Sequence, residues 1–200
     1  MKKLFKLIKK YGIYGSIRLS FDYIFTKIYM PNARLVRRPI YYRNLGKLIG
    51  GHDLISGPNM ILDILNEDAV LEIGKNLCVN HSVHIAAVNR VTIGNDVLMA
   101  SRVYISDHSH GNYKKNGFPQ DPPDSNPNLR EIFSSPIVIG DKCWLGEGVC
   151  VLPGANIGCG SIIGAQSVVI GAIPSHSIAV GTPAKVIKTW SSEKLEWINV

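Results

Sequence analysis

Along most of the chain an aliphatic residue recurs at every sixth position and is usually followed by a small one. The pattern is clearest at Ile139, Leu145, Val151, Ile157, Ile163 and Val169, and it also runs through Ile73, Val79 and Ile85, then through Ile93, Met99 and Ile105. A period of six is neither the 3.6 of a helix nor the 2 of an ordinary strand. It describes short strands separated by turns and stacked as coils of a solenoid. Three such strands make one triangular coil, so Leu145 and Ile163 are expected to lie one above the other in a dry centre. The Gly or Ala after each aliphatic falls at a corner, where a β-carbon would crowd the turn. The coils around Ile49, Ile55 and Ile61 are less regular, as terminal repeats are.

Two interruptions break the count. The step from Ile85 to Ile93 is eight residues, which predicts a bulge over 87–90. The larger break runs over 107–135, DHSHGNYKKNGFPQDPPDSNPNLREIFSS, with four prolines and no period of its own. A polar excursion of that length inside a compact repeat is uncommon unless it is disordered or functional. Upstream, MKKLFKLIKKYGIYGSIRLSFDYIFTKIY spaces apolar residues by three and four with lysines between the early ones, which predicts an amphipathic basic helix broken near Gly12 and Gly15. Downstream, Pro174 and Pro183 end the solenoid, a strand follows over 184–188, and SSEKLEWINV predicts a short helix capped by Ser191 or Ser192 that covers the open end of the stack. The expected division is a basic helical arm over 1–45, a solenoid domain over 46–189 carrying the 107–135 insertion, and a C-terminal helix over 190–200.

Charge sharpens this division. The 200 residues are 46% hydrophobic with a formal net charge of +7, but residues 1–50 hold 12 Lys/Arg and one acid, whereas the remainder holds 10 basic and 14 acidic residues. A nucleic-acid surface would spread over the folded body, and here the body is mildly acidic, so no nucleic-acid partner is expected. The arm has no uncharged apolar run long enough to span a bilayer and does not read as a signal peptide. Two roles stay open for residues 1–28: packing on the solenoid or a sister subunit, and peripheral contact with the anionic inner leaflet. Cys78, Cys143, Cys150 and Cys159 have neither zinc-site nor disulfide-framework spacing, which fits inert thiols in a cytoplasmic protein.

The run IVIGDKCWLGEGVCVLPGANIGCGSIIGAQSVVIGAIPSHSIAVGTPAKVIK, with NHSVHIAAVNRVTIGNDVLMASRVYISDHSHG before it and the N-terminal KKLFKLIKKYGIYGSIRL, resembles the hexapeptide-repeat acyltransferases, nearest to the O-acetyltransferases of O-antigen and lipopolysaccharide biosynthesis. The resemblance covers nearly the whole chain. It implies an all-β fold, a left-handed parallel β-helix, assembled as a homotrimer with active sites between subunits. It also implies acetyl-CoA as donor, a sugar hydroxyl as acceptor and no metal.

Moving an acetyl group from a thioester to a hydroxyl needs a base, and histidine has the pKa suited to the task. His108 and His110 stand together at the mouth of the insertion, and in family register the catalytic histidine falls on His110, with His108 second. Asp107 either orients an imidazole or serves the turn. Trp144 precedes an inward leucine, so its ring is expected to point outward. The resemblance places it beside the pantetheine arm, Glu147 at an oxyanion-binding backbone, Ala165 where close approach is needed, and Lys185 and Lys188 near the CoA phosphates. It places Asn80 against the acceptor, with His84 in the same coil. The acceptor is expected to be a sugar, a nucleotide sugar or a lipid-linked glycan.

Three other functions compete. One is N-acetylation of an amino sugar. Another is a trimeric β-helix carbonic anhydrase, whose zinc needs histidines on adjacent coils at a spacing that His81, His84, His108 and His110 lack. The third is a non-catalytic membrane-associated scaffold, for which the basic helix is the only argument.

Overall fold

The computed structural model describes residues 2–113 and 117–200. Met1 and residues 114–116 of the predicted insertion lie outside the described residues, as do the side chains of Lys2, Lys3 and Leu4. Three parallel sheets form the walls of a solenoid. The first stacks Leu35–Val36, Ile55–Ser56, Cys78–Val79, Leu98–Met99, Trp144–Leu145, Ile162–Ile163 and Ser177–Val180. The second stacks Ile40–Asn44, Met60–Ile64, His84–Ala87, Tyr104–Ser106, Cys150–Val151 and Val168–Val169, and the third runs from Lys47–Gly50 to Ala172–Ile173.

The six-residue beat is the core. Val79, Met99, Leu145 and Ile163 are in register and fully buried on the first wall, as are Ile85, Ile105, Val151 and Val169 on the second. Each such side chain contributes about 1.5–3 kcal/mol by leaving water. The corners need small residues because the coils are close: a β-carbon on Gly146 would meet the Ala165 backbone N at 2.6 Å.

Extrapolating the beat toward the N-terminus slips by one residue. Ile49 is exposed and Ile55 and Ile61 face outward, while Gly50, Ser56 and Leu62 take the positions beneath Ile73, Val79 and Ile85. The early coils are longer, and a one-residue slip turns a strand over. The solenoid also begins at Leu35–Val36, well before residue 46.

The helical part of the arm, α1 (Lys2–Tyr29), is two helical segments that meet at a non-helical Gly12 (φ 69°, ψ 176°), the expected break; Gly15 stays helical. It docks on the first coil through polar groups. Buried Asp22 accepts from Arg38 Nε at 2.8 Å, and the buried Thr26 hydroxyl accepts the Val36 N–H at 2.8 Å.

The predicted C-terminal helix is a β-hairpin. Lys185–Ser191 runs antiparallel to Ser177–Val180, and Glu196–Asn199 runs antiparallel to it in turn. Val186, Ile187, Thr189, Trp190 and Trp197 favour strands, and the two tryptophan rings meet edge-to-face at 5.5 Å between centroids. Ser191 accepts the Lys194 N–H at 3.2 Å across the connecting turn instead of capping a helix. The hairpin covers the edge of the first sheet, the task expected of the helix.

Candidate active site

The described part of the insertion is a built structure. His108–His110 and Ile132–Ser134 pair as an antiparallel hairpin projecting from the corner between the second and third walls. Arg130 gathers the loop beyond it, donating to Ser125 Oγ at 2.8 Å, the Ser125 carbonyl at 2.7 Å and the Tyr113 hydroxyl at 2.6 Å. Phe118 packs edge-to-face on Phe133, and the Asn112 N–H donates to Asp121 at 2.8 Å.

Asp107 anchors the hairpin. Its wholly buried carboxylate accepts the N–H groups of Val88 and Asn89 at 2.9 and 2.8 Å, which are the residues of the eight-residue step. The same Oδ1 lies 3.1 Å from His108 Nδ1, and the Ser106 hydroxyl lies 3.3 Å from that nitrogen. Asp107 therefore holds a turn and positions an imidazole at once. His110 lies two residues along on the same face of the strand, with an exposed side chain that has no partner among the described residues. Behind the hairpin, Ser109, Asn112, Phe133, Leu152, Pro153 and Ile170 line a cavity of about 320 Å³.

A second cluster occupies the first wall and its corner with the second. Trp144 faces outward as expected, half-exposed between Leu98 and Ile162, and it lines a groove with Asn80, Cys78, Leu98 and Ala100. Asn80 also serves its turn, its side-chain oxygen accepting the His81 N–H at 3.1 Å. Glu147 lies at the same corner, paired with Arg102. Its carbonyl accepts the Gln166 N–H, and its own N–H donates to no backbone carbonyl among the described residues. Ala165 is stacked one coil further on, against Gly146. Lys185 and Lys188 pair with Val180 and Ile178, and the bulge at Ile178/Ala179 puts both on the outward face of the first sheet, Trp144's face, although they stand three positions apart. Neither is in an ion pair among the described residues.

His84 belongs to a third group on the second wall. Its Nε2 lies 3.0 Å from Oδ2 of buried Asp63, whose two carboxylate oxygens accept from Arg43 Nε and Nη2 at 2.8 Å each, and its ring meets Tyr104 edge-on at 5.3 Å. The Arg43 hydrogen bonds hold the Asp63 carboxyl below its ordinary range, against the opposing effect of burial. Spacing did not mark Asp63, Arg43 or Arg130, because their partners are 20 or so residues away or inside an aperiodic loop.

The two clusters thus stand at different corners of one chain. The outward tryptophan, the lysine pair and the free corner N–H suit a long phosphate-bearing thioester, and the histidine hairpin suits proton transfer. Among the described residues no group of three or more His, Cys, Asp and Glu is arranged to hold a metal ion.

A parallel solenoid with small-residue corners at every sixth position defines the class of hexapeptide-repeat β-solenoid proteins. No family model matches the chain. It is 43% identical over 194 residues, 97% of this chain and 98% of the relative, to WbbJ of Escherichia coli K12, which is named as a lipopolysaccharide biosynthesis O-acetyl transferase. Among solved structures, the hexapeptide-repeat acetyltransferase VCA0836 of Vibrio cholerae, complexed with acetyl coenzyme A, superposes with a TM-score of 0.58 at 26% identity over 72% of each chain. A maltose O-acetyltransferase from Clostridium difficile 630 gives 0.55 at 26% identity, covering 94% of this chain and 84% of that one. The chain belongs to the hexapeptide-repeat acetyltransferases.

Proposed function

We propose that the protein moves an acetyl group from acetyl-CoA to a sugar hydroxyl in the assembly of a bacterial surface polysaccharide, in the cytoplasm and as a homotrimer. The observation that carries this reading is the division of the site: the histidine hairpin and the Trp144–Glu147 corner stand at different edges of one prism. A neighbouring subunit's corner set against the hairpin would complete the site. The acceptor is a sugar, a nucleotide sugar or a lipid-linked glycan.

His110 acts as general base. It takes the proton of the acceptor hydroxyl as that oxygen attacks the thioester carbonyl, and the Glu147 N–H stabilises the oxyanion. The carbon–sulfur bond then breaks, the sulfur leaves as the CoA thiol after taking a proton, and the acceptor keeps the acetyl ester. Trp144, Ala165, Lys185 and Lys188 hold the donor, and Asn80 and His84 meet the acceptor. A second reading makes His108 the base, because Asp107 orients its ring and leaves Nε2 to face the substrate.

The test is an acceptor screen with acetyl-CoA, scoring thiol release and a 42-dalton mass gain, about one acetyl group, on free sugars, amino sugars, nucleotide sugars and lipid-linked glycans. An ester formed on a hydroxyl is expected. An amide on an amino sugar would replace O- by N-acetylation, and no thiol release with any acceptor would sink the reading.

A further inference from the structure

From Ile13 onward α1 is packed the opposite way from an ordinary surface helix. The side facing the first coil carries Asp22 and Thr26, both buried. The side facing away carries Ile13, Ile17, Phe21, Ile24 and Ile28, each more than half exposed. These apolar residues recur at spacings of three and four and so form one continuous stripe along about 25 Å of helix. Tyr14, Tyr23 and Tyr29 are also exposed. Before the Gly12 kink, Phe5 and Ile8 are exposed beside exposed Lys6, Lys9 and Lys10. Beside the stripe, Leu7, Leu19, Tyr23, Ile24, Arg34 and Leu35 line an apolar groove of about 530 Å³. So large an exposed apolar surface marks an interaction site.

Charge decides what covers it. Asp22 is the only acid in the first 50 residues, and it is buried against Arg38. The charged side chains nearest the stripe are Arg18, which donates to the Arg38 carbonyl, and Lys27, which donates to the Ala33 carbonyl at 2.7 Å, so a second copy of the helix laid on this one would find no acidic partner at the edges of the seam. An anionic phospholipid surface meets both demands: acyl chains receive the isoleucines and Phe21, phosphates receive the lysines, and tyrosines suit the boundary between them.

We propose that α1 docks the protein flat on the surface of an anionic bilayer through this stripe. No helix among the described residues is long and apolar enough to cross a membrane. The inference stands on the helix alone and does not depend on the acetyl-transfer reading. If both hold, the bound enzyme meets its acceptor at the membrane surface, which favours a lipid-linked glycan.

The test is co-sedimentation of the full chain with vesicles of phosphatidylglycerol and phosphatidylcholine, and with vesicles of phosphatidylcholine alone, with mass in solution measured by light scattering. Binding to the anionic vesicles is expected to weaken about a hundredfold in Lys6→Gln/Lys9→Gln/Lys10→Gln, and to weaken at least as much in Phe21→Glu/Ile24→Glu. Both variants should keep the native circular dichroism and the native mass. The stripe residues are exposed, so these changes spare the core. Absence of wild-type binding to anionic vesicles would overturn the proposal. So would equal binding to both vesicle types, full binding by the Phe21→Glu/Ile24→Glu variant, or a fall in its solution mass, which would make the stripe a subunit interface.

Discussion

Oδ1 of Asp107 lies 3.1 Å from Nδ1 of His108, within a carboxylate that also accepts two backbone N–H groups from the coil below. One buried side chain therefore links the corner bend at Val88 and Asn89, where the sequence predicted a bulge, to the base of the histidine hairpin. Asp107→Asn keeps the shape but replaces one acceptor oxygen with a donor. It is expected to cost about 1–3 kcal/mol of stability and to lower kcat, because the bend and the imidazole lose their common anchor. Denaturant unfolding and steady-state kinetics check both, and a variant with native stability and native kcat would show that the carboxylate anchors neither.

The two histidines are separable by kinetics. His110→Ala is expected to lower kcat by about 10²–10⁴-fold while oligomeric mass and CoA binding persist. His108→Ala is expected to have a smaller effect. The reverse order would assign the base to His108, the imidazole that Asp107 holds.

The outward ring of Trp144 gives a different signature. Trp144→Ala is expected to raise KM for acetyl-CoA several-fold with a smaller change in kcat, and Lys185→Gln/Lys188→Gln should raise it too while making it less dependent on salt than in the parent. Unchanged KM in both variants would remove the first wall from the donor site.

Leu145 is fully buried between Met99 and Ile163, and Leu145→Ala leaves a cavity that rigid coils close poorly. A loss of about 2–5 kcal/mol is expected, measurable by denaturant unfolding. A loss below 1 kcal/mol, roughly the scale of a surface change, would contradict a tightly packed centre.

Asp63 provides a pH dependence. Its folded carboxyl titrates below the ordinary carboxylate range, so the unfolded chain binds the proton first as pH falls. The stabilisation is complete above the ordinary carboxylate pKa of about 4 and is lost as pH drops through the folded value. Asp63→Asn should therefore be less stable than the parent at pH 7, and the gap should narrow in acid below that range. A gap independent of pH would mean that the Arg43–Asp63–His84 contacts contribute no linked protonation.

The sequence by itself determined the solenoid, because a period of six leaves one way to bury Val79, Met99, Leu145 and Ile163 together. It also turned Trp144 outward, since the neighbour of a buried residue on a strand must face the other side. It located the insertion and its histidines as the place where the count fails. Its reach ended where contacts join distant residues or where local propensity is ambiguous. Nothing in the spacing says that Asp107 holds Val88 and Asn89, that Asp63 is shared by Arg43 and His84, or that a bulge turns Lys188 to the side of Lys185. The last ten residues read as a capped helix, and the open edge of the first sheet selected a strand hairpin in its place. The arm is the sharpest case: its three-and-four spacing gave a helix with an apolar stripe, and only the packing of Asp22 and Thr26 against the first coil decided that the stripe faces away from the protein.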